Sequence, residues 1–261
     1  DEKNFGKAVD ELEKKLKTQR NLPQTPLEVG MLGCKRAAKT GMPVVKIENG
    51  EELDAATYAK RVARKDCGNK LHIKSFWGKR QDAGKDLKLE DELDIKDLTG
   101  KNDWIAIVHI DGNGLGKVVQ QLGKDRKKFY QFSTLLDQAT TKAANEAFKV
   151  IEEAHGFSYN KLPICPVVLG GDDLTAIIRG DLAMSYAQKF IKKFEEETSQ
   201  GEMKNLLSKA NMNKLTACGG IAYIKASFPF YYGYKLAEEL CHAAKTDAKE
   251  INKEHVPSCL M

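Results

Sequence analysis

An α+β fold of the ferredoxin-like βαββαβ kind is predicted for residues 101–261 by three features of the sequence. A β-branched apolar run, Trp104 to Ile110, closes at once on Asp111-Gly112-Asn113-Gly114. Two more apolar runs, Ile164 to Leu169 and Leu174 to Ile178, are separated only by Gly170-Gly171-Asp172-Asp173, the spacing of a tight hairpin. Helical stripes lie between and after these strands, so the order reads β, α, β, β, α, β, α. A hairpin is antiparallel by construction, which rules out a purely parallel sheet and leaves the βαββαβ unit. In that unit the helices pack on one sheet face, and the other face is expected to be free for a ligand or partner.

The elements follow in order. Residues 1–100 are predicted to be an accessory region, mainly helical or irregular, because they are rich in Lys and Glu and are broken by Pro23, Pro26 and Pro43. Phe5, Val9, Leu12 and Leu16 share one helix face, which predicts a short amphipathic helix before the Leu22-Pro23 break. A second helix is expected over about Asp54 to Arg64. Its apolar stripe is Ala55, Tyr58, Ala59 and Val62, and the opposite side, Lys60, Arg61, Arg64 and Lys65, is either a solvated surface or a phosphate-contacting one. Gly78 to Gly100 reads as a charged loop or linker, with the domain boundary near Gly100. Beyond it, Leu135 to Glu153 carries a helical stripe stopped by His155-Gly156. Leu182 to Thr198 is helical, Leu215 to Ile224 is a strand, and Tyr232 to Ile251 is a terminal helix.

Composition narrows the function classes. The chain has 261 residues, 41% hydrophobic and 30% charged, which is a globular balance. No apolar run approaches the roughly 18 residues of a membrane helix, so no membrane association and a cytoplasmic location are expected. The formal charge of +5 fits a polyphosphate or nucleic-acid ligand without requiring one. Cys34, Cys67, Cys165, Cys218, Cys241 and Cys259 form no CxxC pair, and the five histidines show no i,i+4 pair, so reduced thiols and no zinc site are expected. A metal ion here would be held by oxygen.

The oxygen ligands are at hand. Asp111 ends the first strand and Asp172-Asp173 tips the hairpin, and in a ferredoxin-like sheet these two strands are neighbours. Three converging carboxylates repel one another unless a cation joins them, and hard oxygen donors suit Mg2+ or Mn2+. Gly112, Gly114 and Gly116 let backbone amides approach an anion, and Gly170-Gly171 permits a tight turn. Gly-Gly-Asp-Asp alone would also serve an ordinary hairpin; its pairing with Asp111 points to metal-dependent phosphoryl or nucleotidyl transfer. Lys245 and Lys117 are the nearby cations by sequence, and a lysine late in a helix is equally served by the helix dipole. Phe228, Phe230, Tyr231, Tyr232 and Tyr234 form an aromatic stretch that suits either a core or interface or a nucleobase, and His109, inside a strand, reads as a satisfied core histidine.

Ile107 to Lys117 and Val168 to Ala176, taken together, resemble the palm domain of the Cas10 (Cmr2-type) subunits of type III CRISPR effectors. The block Leu215 to Ala222, with Phe228-Pro229 and Ala237 to Lys245, is similar to the last strand and lysine-bearing helix of that family and of its diguanylate-cyclase (GGDEF) relatives. The likeness runs over about residues 103 to 250. It implies a palm that joins nucleoside triphosphates, ATP favoured, into cyclic or linear oligonucleotide second messengers in antiviral defence. It implies Asp111, Asp172 and Asp173 as catalytic, metal-holding acids for Mg2+ or Mn2+. Gly112, Asn113, Gly114, Gly170, Gly171 and Lys245 are the implied nucleotide-binding positions. Asn113 stands where many relatives carry a second acid, Cys218 stands where Ser is common, and the hairpin reads Asp-Asp-Leu rather than the Glu-Phe of cyclic-di-GMP synthases. The implied partner is a facing palm, as a homodimer or on another palm-bearing chain, and a nucleic-acid effector complex is its implied setting. Two alternatives stand beside this: a catalytically weakened palm acting as a nucleotide sensor or scaffold subunit, and a template-directed polymerase, against which no finger or thumb is recognisable.

Overall fold

The computed structural model describes residues 5–22, 33–67, 98–99, 103–154 and 163–261. Apart from Leu98 and Thr99, the stretch expected to be a charged linker lies outside the described residues, as do Pro23 and Pro26. The chain divides into two compact units, Lys7–Lys79 and Arg80–Met261, the latter together with Asp1–Gly6.

The amphipathic segment at the start forms helix α1 (Phe5–Asn21), none of whose residues is buried. The first unit also contains a hairpin where the sequence predicts mainly helical or irregular structure. Strands β1 (Val44–Glu48) and β2 (Glu51–Asp54) pair antiparallel around Asn49-Gly50, whose φ values of 52° and 77° are those of a type I′ turn. Asp54 then opens helix α2 (Ala55–Cys67). Its carboxylate accepts from the Thr57 amide at 3.0 Å and from the Thr57 and Thr40 hydroxyls, each at 2.8 Å, and these bonds hold its pKa down to about 2. On the basic side of α2, Arg61 is committed to ion pairs with Glu48 and Glu51.

The second unit is the α+β domain. Its elements are β3 (Trp104–Gly112), α3 (Leu115–Leu122), α4 (Arg126–Glu153), β4 (Ile164–Gly170), β5 (Asp173–Arg179), a 3-10 turn (Gly180–Leu182), α5 (Ala183–Thr198), α6 (Gly201–Ser208), β6 (Ala217–Lys225), α7 (Phe230–Ile251) and β7 (Cys259–Leu260). The sheet order is β4-β5-β3-β6-β7, and the first four strands are antiparallel neighbours, which is the ferredoxin-like order. Helix α4 starts earlier than its apolar stripe because Asp125 caps it, accepting from the amides of Lys127 and Lys128. The short β7 runs parallel to β6 and was not foreseen. Two residues carry no periodicity.

The second sheet face is not wholly free, which corrects the expectation of one free face: α7 covers it over β3 and β6, while Val168 of β4 stays exposed. Ala106, Val108 and Ile110 of β3 are fully buried on the side where α4 and α5 pack together, α5 lying against β3 and β6 and α4 against β4. The alternate residues Ile105 and Ile107 point the other way and join Ile177, Ala222, Ile224 and Ala237 in one cluster, Ala237 belonging to α7. Helix α7 comes so close to β6 that a Cβ on Gly220 would stand 2.1 Å from the Ala237 carbonyl oxygen. The hydrophobic cost of leaving a sheet face wet is thus met by the terminal helix.

Candidate metal centre

The register of the two central strands builds the site. Ile110 of β3 is opposite Leu174 of β5, so the next residues along each strand, Asp111 and Asp173, come to the same sheet end, with Asp172 in the adjoining turn. Carboxylate oxygens of Asp111, Asp172 and Asp173 all lie within 4.8 Å of one another. The three acids singled out from the sequence are therefore brought together, and they suit a divalent cation: three hard oxygen donors at one half-buried point. Among the described residues, Asp111, Asp172 and Asp173 are the one group of three with this geometry.

Packing makes the approach possible at Gly112. A Cβ there would lie 2.7 Å from Asp172 Cβ, 2.8 Å from its Oδ2 and 2.8 Å from Leu115 Cδ1, so the hairpin tip sits where any larger residue would stand. Gly114 adopts φ 77° at the start of α3 and Gly171 φ 61° in the hairpin turn. Gly170 is exposed at the end of β4.

The electrostatics are those of crowded acids. Burial, then the neighbouring Asp173, pushes the Asp172 carboxyl up to about 6. Asp173 is also raised, by burial first and then by Asp111. Lys245, one residue beyond the buried Ala244 of α7, reaches across the sheet end: its Nζ is ion-paired with Asp111 Oδ2 and donates to the Gly112 carbonyl at 3.1 Å. Its ammonium lowers the cost of gathering three carboxylates in one place.

Asn113 is committed elsewhere. Only 5% exposed, its Nδ2 donates to Thr216 Oγ1 at 3.1 Å, Cys218 Sγ at 3.3 Å and the Pro257 carbonyl at 3.4 Å, while its backbone amide donates to the Thr216 carbonyl. Its side chain ties the loop after β3 to the segment preceding β7, so this amide is a structural tie and offers no side-chain donor to a nucleotide. Lys117, on α3, is exposed. His109 is satisfied by Thr175, with Nδ1 and Oγ1 2.9 Å apart, and burial lowers its pKa. Its ring also meets Tyr234 edge-on at 5.8 Å, which brings the aromatic stretch to the same sheet face as Asp111. Phe228, Tyr231 and Tyr232 of that stretch remain exposed. One contributor escaped the sequence reading: the Thr140 hydroxyl of α4 donates to the Gly171 carbonyl at 2.5 Å. No local signal marks it, because the two residues meet only in the tertiary structure.

The family described as Cas10/Cmr2, second palm domain, matches residues 104–254. No curated protein matches the chain. Similar solved structures include Csm1 in T. onnurineus, at 19% identity and a TM-score of 0.42 over 60% of this chain and 21% of that one. The Csm1-Csm4 cassette in complex with AMPPNP stands at 18% and 0.42 over 60% and 21%. The same cassette in complex with pppApA stands at 18% and 0.40 over 56% and 20%. The chain spans about a fifth of the length of the proteins in these structures.

Proposed function

The chain belongs to the Cas10/Cmr2 second palm domain family, and on that premise we propose that it is a metal-dependent nucleotidyltransferase joining nucleoside triphosphates, ATP first among them, into cyclic or linear oligonucleotides. The observation that carries this reading is the convergence of Asp111, Asp172 and Asp173 under Lys245. In the reaction the 3′-hydroxyl oxygen of one nucleotide attacks the α-phosphorus of another. The hydroxyl proton is lost, the bond to the β-phosphate bridging oxygen breaks, and pyrophosphate leaves.

The acids would hold Mg2+ or Mn2+, to which their oxygen-only donor set is suited. When bound, such an ion supplies the positive charge that eases deprotonation of the hydroxyl and offsets charge on the departing pyrophosphate. The remaining work belongs to the chain. Gly112 lets Asp172 close against β3, and Lys245 holds Asp111 and the Gly112 carbonyl in place. With Asp111 engaged in holding a cation, the Lys245 ammonium would be available to a triphosphate oxygen. The exposed Gly114 and Gly170 leave backbone open beside the acids.

The alternative, a palm that binds nucleotide as a sensor or scaffold without turnover, is favoured by one observation: Lys245 already occupies Asp111. Incubation of the pure protein with each triphosphate and Mg2+ or Mn2+, followed by separation of the products, decides between them. The enzyme reading expects oligonucleotide from the wild type. It also expects none from Asp173→Asn or Asp111→Ala; Asp173→Asn removes a like charge and is expected to keep an unchanged or higher melting temperature in chelator, whereas Asp111→Ala also gives up the ion pair with Lys245 and is expected to stay folded at a lower one. Metal-dependent nucleotide binding without product would establish the scaffold, and undiminished turnover in either variant would exclude the acids as catalytic.

A further inference from the structure

Thr140 lies midway along α4 and is 1% exposed, yet its hydroxyl does not turn back on its own helix. The hydroxyls of Thr134, Thr198 and Thr246 each donate to the carbonyl four residues earlier, the ordinary habit of a helical threonine. Thr140 instead donates across the fold to the Gly171 carbonyl, at 2.5 Å. Gly171 immediately precedes Asp172, and a Cβ added to Gly170 or Gly171 would meet nothing within 4 Å, so side-chain packing does not hold the turn at these two positions. The helix reaches the turn because its neighbours are small: Ala139, Ala143 and Ala144 are all buried.

We propose that Thr140 is a positioning residue for the acid cluster, its buried hydroxyl clasping the hairpin tip so that Asp172 and Asp173 stay against Asp111. Three carboxylates at this separation push the tip outward, and a directional bond from a rigid 28-residue helix opposes that motion. Without the hydroxyl, the Gly171 carbonyl loses its buried donor, and a hydrophobic side chain cannot replace it. The proposal rests on the reading of the three acids as metal ligands.

Thr140→Val removes the hydroxyl at nearly constant volume, Thr140→Ala removes it without any risk of overpacking, and Thr140→Ser keeps it. Two measurements are needed: amide hydrogen exchange of peptides covering 168–175 in metal-free protein, and Mn2+ affinity by titration. Loss of the clasp is expected to speed exchange in the hairpin about tenfold while β6 stays protected, and to weaken Mn2+ binding about tenfold, with Thr140→Ser close to wild type in both. Unchanged hairpin exchange in Thr140→Val and Thr140→Ala overturns the clasp, as does a Thr140→Ser variant that behaves like Thr140→Val. A wild type that takes up no Mn2+ overturns the metal reading instead, and the exchange data then still decide whether Thr140 holds the hairpin.

Discussion

Asp172 and Lys245 carry opposite charges in one cluster, and each has its own readout. The Asp172 carboxyl titrates at about 6 in the folded chain against an ordinary value of 3.8, so its protonated form contributes stability that is complete below about pH 4 and lost as pH rises through 6. Asp173 shifts in the same direction. In chelator, the melting temperature is expected to fall between pH 4 and 6.5, to fall less in Asp172→Asn, and to be restored at pH 7 by Mn2+, which binds the folded form. A flat profile in the wild type would show that the acids are not crowded. Lys245→Ala removes a charge-assisted contact of about 1.5–3 kcal/mol, roughly a tenfold to hundredfold effect, and is expected to raise KM for ATP more than it lowers kcat. An unchanged KM would leave Lys245 as a partner of Asp111 and the Gly112 carbonyl alone. The three acids were legible as residues because the chemistry demands carboxylates at neighbouring strand ends, whereas Lys245, inside α7, was pointed to by the family resemblance. Asn113 was not, since the direction of its amide depends on Thr216 and Pro257, more than a hundred positions along the chain.

At the scale of elements, close approach of backbone to backbone matters more than propensity. Gly220→Ala would drive a Cβ into the Ala237 carbonyl and the Cys241 amide of α7. Overpacking of this kind costs about 1–3 kcal/mol, and urea unfolding should show it as a lower midpoint with little change in slope. No shift in midpoint would mean that α7 is free to slide on β6. The long strands and helices of this domain were readable from periodicity, because β3, α4 and α5 bury whole stripes. Where the sequence reading fell short, the elements were short as well: β7 is two residues, α3 and α6 are eight each. The β1–β2 hairpin did carry a local signal in Asn49-Gly50, a pair suited to positive φ, which the charged composition around it obscured.

For the molecule as a whole, the proposed function gives one set of acids one triphosphate to receive, and joining two nucleotides would need a second held with its 3′-hydroxyl in line. Pairing of two palms is therefore expected, as a homodimer or with another palm-bearing chain. In the pure protein, sedimentation over a concentration series with ATP analogue and Mn2+ should reveal a two-chain species, and product formation should rise more steeply than linearly with protein concentration. A strictly monomeric species that still makes oligonucleotide would refute it. Because α7 covers the β3 and β6 part of the sheet face expected to be free, the surface open to such a partner includes the exposed Phe228 just before that helix and Tyr231 and Tyr232 in its first turn. The sequence by itself determined the βαββαβ order and the identity of the three acids, because hydrophobic periodicity and a carboxylate at a strand end are local facts. Tertiary structure alone decided that α7 covers the second face over β3 and β6, that Asn113 is tied to Pro257, and that Thr140 reaches Gly171. Each of these depends on which distant backbone comes near, and proximity across a fold leaves no trace in local pattern.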